Sequence, residues 1–152
     1  MSRQALTWIV RILRKKNIPF RISGGFAANI YGSKGKLRDI DIEIPDDNFK
    51  DIIPEVKSFI TLTPYRYKDK FFNIYRMRLR YKGQKIDFSG SKTEKLYNPN
   101  KRRWEKSRIN LKNAEKKKIY NLIIPVIPKK ELIEYKKQLA RKIDKEDIAE
   151  IS

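Results

Sequence analysis

Residues 22–44 read ISGGFAANIYGSKGKLRDIDIEI. An apolar run ends at Gly24-Gly25, a short helix-like patch closes at Gly32, and Asp39 and Asp41 then stand one residue apart among isoleucines. The alternation in DIDIEI is strict. Since residues i, i+2 and i+4 of a strand share a face, Ile40, Ile42 and Ile44 point one way and Asp39, Asp41 and Glu43 the other. The isoleucines claim the core. Two carboxylates on the same side of a strand lie about 7 Å apart at their Cα atoms, and their charges repel unless a cation sits between them. A divalent ion resolves that conflict. Glu43 lies farther along and reads as an ordinary strand residue.

A third acid can join them. The two-residue period returns over residues 70–90: Phe71, Tyr75, Met77, Leu79 and Tyr81 fall on one face, and Phe72, Ile74, Arg76, Arg78 and Arg80 on the other. Lys82-Gly83 then turns the chain into QKIDFSGS, which predicts an antiparallel hairpin carrying a basic ladder. In that second strand Ile86 and Phe88 face the core, so Asp87 points the opposite way, as the isoleucines require of Asp39 and Asp41. Two-metal phosphoryl transfer uses such a cluster, one ion activating the attacking oxygen and the other holding the triphosphate. Ser23, Gly24 and Gly25 lie between a strand and the start of a helix, where glycine permits close backbone approach and free N–H groups favour a phosphate.

Elsewhere the pattern predicts an amphipathic opening helix over 4–16, a helix after Pro45 interrupted by Pro54, a polar loop with a short helix around Trp104 within 91–118, and a strand over 120–127. Pro128 precedes a helix over 129–143, on which Lys136 falls among Leu132, Leu139, Ala140 and Ile143; Asp144 is placed to cap a last short helix. A lysine facing inward must either snorkel or meet an anion.

Composition narrows the chemistry. The 152 residues include no cysteine and no histidine, which excludes disulfides, thiolate metal sites and imidazole bases. Carboxylates are the available metal ligands and select hard cations such as Mg²⁺ or Mn²⁺. Lys and Arg number 37 against 18 Asp and Glu, a formal charge of +19, and most of the excess lies within residues 61–118. A charge block of this kind is the footprint of a polyanion partner, with nucleic acid ahead of membrane. The competing explanation is a Lys- and Ile-rich composition serving solubility, which would spread evenly. Arg76, Arg78, Arg80, Arg102 and Arg103 are the candidate nucleic-acid contacts. No apolar run reaches membrane-spanning length and the first twenty residues are basic, so a cytoplasmic protein is expected.

Taken together, Gly24-Gly25, Asp39-Ile40-Asp41 and Asp87 resemble the pattern of the DNA polymerase β-like nucleotidyltransferase superfamily, most of all its small stand-alone antibiotic-modifying and toxin-type members. The tail IPKKELIEYKKQLARKIDKEDIAEI is also similar to that family's closing helices. The resemblance implies a single α/β (α+β) domain over 1–152, with a mixed, mostly antiparallel sheet flanked by helices, a basic insertion at about 61–118 and C-terminal helices at about 128–151. It further implies transfer of a nucleoside monophosphate from an NTP to an acceptor hydroxyl. Asp39 and Asp41 would hold two Mg²⁺ ions, Asp87 would complete the site, Ser23, Gly24 and Gly25 would hold phosphates, and Arg38 and Lys136 would lie near the nucleotide. The basic middle block points to RNA, such as tRNA, as acceptor, because a pocket for a cationic antibiotic should be acidic. An inactive RNA-binding module and a small-molecule modifier are the alternatives.

Overall fold

The computed structural model describes residues 2–152. In chain order the elements are α1 (Ser2–Lys15), β1 (Arg21–Ser23), α2 (Gly24–Ile30), β2 (Asp39–Ile44), α3 (Phe49–Val56), β3 (Ile60–Lys68), β4 (Phe72–Tyr81), β5 (Gln84–Gly90), β6 (Lys95–Asn98), β7 (Arg103–Lys106), β8 (Glu115–Ile119), β9 (Leu122–Val126), α4 (Lys129–Leu139) and α5 (Lys142–Ile151). The strands form one sheet in the order β7-β6-β4-β5-β2-β1-β9-β8, with β3 also paired to β4. Only β2 with β5 and β1 with β9 run parallel; the other pairs are antiparallel. This is the mixed, mostly antiparallel sheet flanked by helices that the resemblance implied.

One face of the sheet is sealed by apolar packing. Ile40, Ile42, Ile44, Ile86 and Phe88 are fully buried and share a core with Leu6, Ile9 and Leu13 of α1 and Phe49, Ile52 and Val56 of α3. The α1 residues recur at three- and four-residue steps, which gives that helix its single buried stripe. Trp8 extends it by stacking on Tyr81, centroids 4.2 Å apart. The β4–β5 hairpin closes as its sequence demands: Lys82 and Gly83 both take positive φ, +46° and +80°, the backbone of a tight two-residue turn.

Two expectations are corrected. Residues 91–118 form β6, β7 and β8 rather than a loop with a helix around Trp104, because Leu96 buries against the sheet and Trp104 pairs across to Tyr97. The segment 61–118 also supplies β4 and β5, which lie well inside the sheet. The helix predicted over 129–143 ends at Leu139, where Ala140 adopts a left-handed φ of +53°, and Ile143 is consequently 49% exposed. No helix of the described residues is long and apolar enough to cross a membrane.

A buried ion network ties the sheet to its surroundings. Arg21 of β1 is fully buried, pairs with Glu43 of β2 and with Glu131 of α4, and donates to the carbonyl of Asn113 at 2.9 Å. Its charge therefore fixes β1, β2, α4 and the segment before β8 at once. Removing one partner of such a network leaves an uncompensated buried charge. Arg21→Met is expected to lose about 3–5 kcal/mol in urea unfolding, and adding Glu43→Gln should restore part of it by removing the stranded carboxylate.

Candidate active site

The acids converge as the strand arithmetic requires. β2 and β5 run parallel with Asp41 opposite Asp87, and Asp39 lies two residues earlier on the same face. One carboxylate oxygen from each of Asp39, Asp41 and Asp87 lies within 4.8 Å of the others. The glycine turn meets them: Ser23 pairs in register with Asp41, and the Gly25 N–H donates to Asp41 Oδ2 at 3.1 Å. Gly24 sits at φ +60°, and a Cβ there would come within 2.4 Å of the same oxygen. Glycine is required at that position on both counts.

The electrostatics follow from crowding three acids beside a core. Loss of water, then the charges of Asp87 and Asp39, push the Asp41 carboxyl up to about 7; the Gly25 N–H and Arg76 oppose the shift without cancelling it. Asp39 is raised for the same reasons, burial first and Asp87 second, against Arg78 and Lys85. A hard divalent ion fits this donor set: three oxygen ligands from anionic side chains, close together. The residues that would hold it are Asp39, Asp41 and Asp87.

An arginine from the basic ladder is the counter-charge the chain itself provides. Arg78 binds Asp87 through both branches of its guanidinium, Nε to Oδ1 at 2.6 Å and Nη2 to Oδ2 at 3.0 Å, and lies 3.9 Å from Asp39. Arg76 adds a longer contact to Asp87 at 3.4 Å while its guanidinium packs over the Tyr67 ring. Two of the five residues expected to face nucleic acid are thus turned into the acidic cluster, because antiparallel register places Arg78 opposite Asp87. Arg80 and Arg102 are exposed, and Arg103 is exposed and paired with Glu105 at 3.3 Å.

Lys136 also finds an anion, but one the chain supplies. It is buried between Asp144 and Asp147 of α5, at 3.3 Å and 2.8 Å, and Asp147 in turn accepts from the Ser33 hydroxyl. Its charge joins α4, α5 and the segment after α2, although the side chain borders the cleft. Asp144 belongs to the first turn of α5 and accepts the Arg141 backbone N–H, so it does cap that helix, from inside it.

These residues open onto one cleft of about 1350 Å³, lined by Ser23, Gly24, Gly25 and Arg38 beside the three aspartates and continuing to Glu94, Ser107 and Tyr135. Sequence reading did not single out Arg21, Glu94 or Tyr135. Arg21 carried a usable signal: with Ile22 in the core, strand alternation sends Arg21 to the face of Glu43 and the aspartates. Glu94 carried none, since it lies between two strands where no period operates.

No protein-family model and no curated protein matches the chain. Solved structures do. A candidate nucleotidyltransferase from Thermotoga maritima superposes with a TM-score of 0.77 at 16% identity, over 96% of this chain and 89% of that one. The lincosamide antibiotic adenylyltransferase LnuA with lincomycin bound gives 0.63 at 15% identity, over 97% and 94%. ANT(2'')-Ia in complex with adenylyl-2''-tobramycin gives 0.61 at 12%, over 99% and 87%. The chain has the fold of the small nucleotidyltransferases.

The raised Asp41 makes a prediction with a definite sign. The folded, metal-free protein holds this proton more tightly than the unfolded chain, whose aspartates titrate near pH ~4, so Asp41 withdraws stability as pH rises from there through about 7. Across that window the thermal midpoint of metal-free wild type should fall relative to Asp41→Asn. Above pH 7, Mn²⁺ should raise the midpoint of wild type and leave that of Asp41→Asn unmoved.

Proposed function

We propose that this protein is a metal-dependent nucleotidyltransferase that moves a nucleoside monophosphate from an NTP to an acceptor hydroxyl. The observation that carries the reading is the convergence of Asp39, Asp41 and Asp87 beside the Gly24 turn. Fold-level likeness to adenylyltransferases raises its standing without supplying the substrate. In the reaction the acceptor oxygen bonds to the α-phosphorus, the bond from that phosphorus to the β-bridging oxygen breaks, pyrophosphate leaves, and the hydroxyl proton is lost.

The chain's residues divide that work. Asp39, Asp41 and Asp87 are the residues that would hold the ion, and Asp87 would do so in place of its present pairing with Arg78. When bound, Mg²⁺ or Mn²⁺ supplies charge neutralisation on the triphosphate and a more acidic acceptor hydroxyl. Ser23, Gly24 and Gly25 line the path of the phosphates, Arg38 stands exposed on the same rim, and the Lys136 ion cluster fixes the helices that form the opposite wall.

The acceptor reading changes with the structure. Charge along the sequence argued for RNA and against a cationic small molecule. Yet ten of the chain's 18 acidic residues line this cleft, against nine of its 37 basic ones. The positive excess is carried outside, where Lys95, Lys116 and Lys118 are exposed. A small acceptor entering the cleft is therefore the favoured reading, and RNA held by the outer surface is the second. The paired Arg78 and Asp87 favour a third, a binding scaffold without turnover, since an arginine holds the acid that an ion would need.

Incubation with α-labelled NTPs, Mg²⁺, total RNA and a low-mass cell extract separates these readings. Label should appear in the low-mass fraction and should fall at least a hundredfold with Asp41→Asn. Label on RNA, with binding that weakens steeply between 50 and 200 mM salt as phosphate contacts require, would restore the RNA acceptor. Equal labelling by Asp41→Asn would remove the metal-site assignment, and no labelling by wild type would leave the scaffold.

A further inference from the structure

The β8–β9 hairpin carries a surface that the proposed transfer reaction does not use. Tyr120 and Asn121 both take positive φ, +50° and +67°, so β9 folds back on β8 through a tight two-residue turn. Antiparallel pairing sets Lys116 opposite Pro125 and Lys118 opposite Ile123, and residues paired in this way share a face of the sheet. Ile123 is 51% exposed there. Its carbonyl accepts from the Arg14 guanidinium, which ties the end of α1 to the hairpin. Between the two runs an open groove of about 570 Å³, lined by the buried Ile18 and Phe20 and by the more accessible Leu122, Ile123 and Pro125. It shares no lining residue with the cleft of the three aspartates.

The charge around this groove has no complement within the chain. Lys117 points to the other face, where its ammonium lies over the Tyr31 ring and 3.5 Å from Glu115. Among the described residues no ion pair engages Arg14, Lys116 or Lys118. Three uncompensated cations therefore border a strip of aliphatic side chains. A second copy is a poor occupant, because β8 ends the sheet and self-pairing along that edge sets lysine against lysine between two chains that each carry +19. RNA would meet the cations but find no stacking platform, since the exposed Tyr120 stands at the turn and does not line the groove. A membrane surface calls for a broader apolar face than one protruding isoleucine.

We propose that the groove between the end of α1 and the β8–β9 hairpin docks an acidic, amphipathic segment of a partner protein. Aliphatic side chains of that segment fill the groove over Ile18 and Phe20 and cover Ile123, while its carboxylates reach Arg14, Lys116 and Lys118 on the rim. Each part of the surface then has its match: apolar area is removed from water at the centre, and opposite charges meet where solvent remains. The two requirements are separable. An acidic chain without apolar residues satisfies the rim alone, and a neutral apolar one only the centre.

The test is fluorescence anisotropy on the full chain at about 150 mM salt, with a labelled amphipathic peptide of repeated Glu-Glu-Leu-Leu blocks as probe. Poly-glutamate of equal charge, oligouridylate and phosphatidylserine vesicles serve as the comparisons. The amphipathic peptide should bind at least tenfold more tightly than poly-glutamate. Ile123→Ser should weaken it at least tenfold and leave poly-glutamate binding unchanged, and the double variant Lys116→Glu, Lys118→Glu should weaken both. Amide shifts caused by the peptide should cluster at Ile18, Phe20, Leu122 and Ile123; this map decides the matter should Ile123→Ser lose stability. Peptide binding that is absent, indifferent to Ile123→Ser or mapped elsewhere would overturn the docking surface. Tighter binding of oligouridylate or vesicles through Ile123 overturns the class of partner, as does a concentration-dependent dimer that Ile123→Ser dissolves. None of these outcomes depends on transfer of a labelled nucleotide, so the surface and the transfer reading stand or fall separately.

Discussion

The parallel pairing of β2 with β5 is the constraint from which the site follows. Once Ile40, Ile42, Ile86 and Phe88 are committed to the core, strand alternation leaves Asp39, Asp41 and Asp87 no other place than one small patch on the opposite face. Two like charges 4.8 Å apart repel by about 3 kcal/mol at an effective dielectric of 20. The surroundings answer that repulsion in several ways: a proton held on Asp41, the Gly25 N–H, and the forked guanidinium of Arg78. On the proposed reading, a divalent ion would take the place of those answers.

The same opposition of acid and base recurs on a larger scale. The chain is strongly basic, but its acids are gathered inward and its lysines outward, so the cleft and the outer surface present different faces to a partner. Arg21 shows how this is done: one fully buried cation serves two glutamates and the segment before β8.

How much of this is legible in the sequence depends on whether a period carries the information. The DIDIEI strand, the 70–90 hairpin and the three aspartates are all read from period-two alternation, and the structure places them together. Lys136 is legible as a buried lysine from its helical phase, but its partners lie on the far side of the break at Ala140, and a left-handed residue other than glycine leaves no pattern to follow. Arg78 has the same problem in another form: alternation gives its face, while only the pairing register opposite Asp87 reveals that it serves the acids instead of a polyanion. Net charge says least about the cleft, because a count along the chain does not distinguish inside from outside. Glu94, between two strands and tied to a serine thirteen residues away, needed the three-dimensional fold.

The central claim of the proposed reading is that these three carboxylates form a metal site, one of them held by an arginine in this structure. Anomalous scattering from crystals soaked in Mn²⁺ with a non-hydrolysable NTP tests it directly. The account predicts manganese peaks bound to Asp39, Asp41 and Asp87, with Arg78 turned away from Asp87. Saturating Mn²⁺ that leaves the Arg78–Asp87 pair intact and no peak among the aspartates would contradict it.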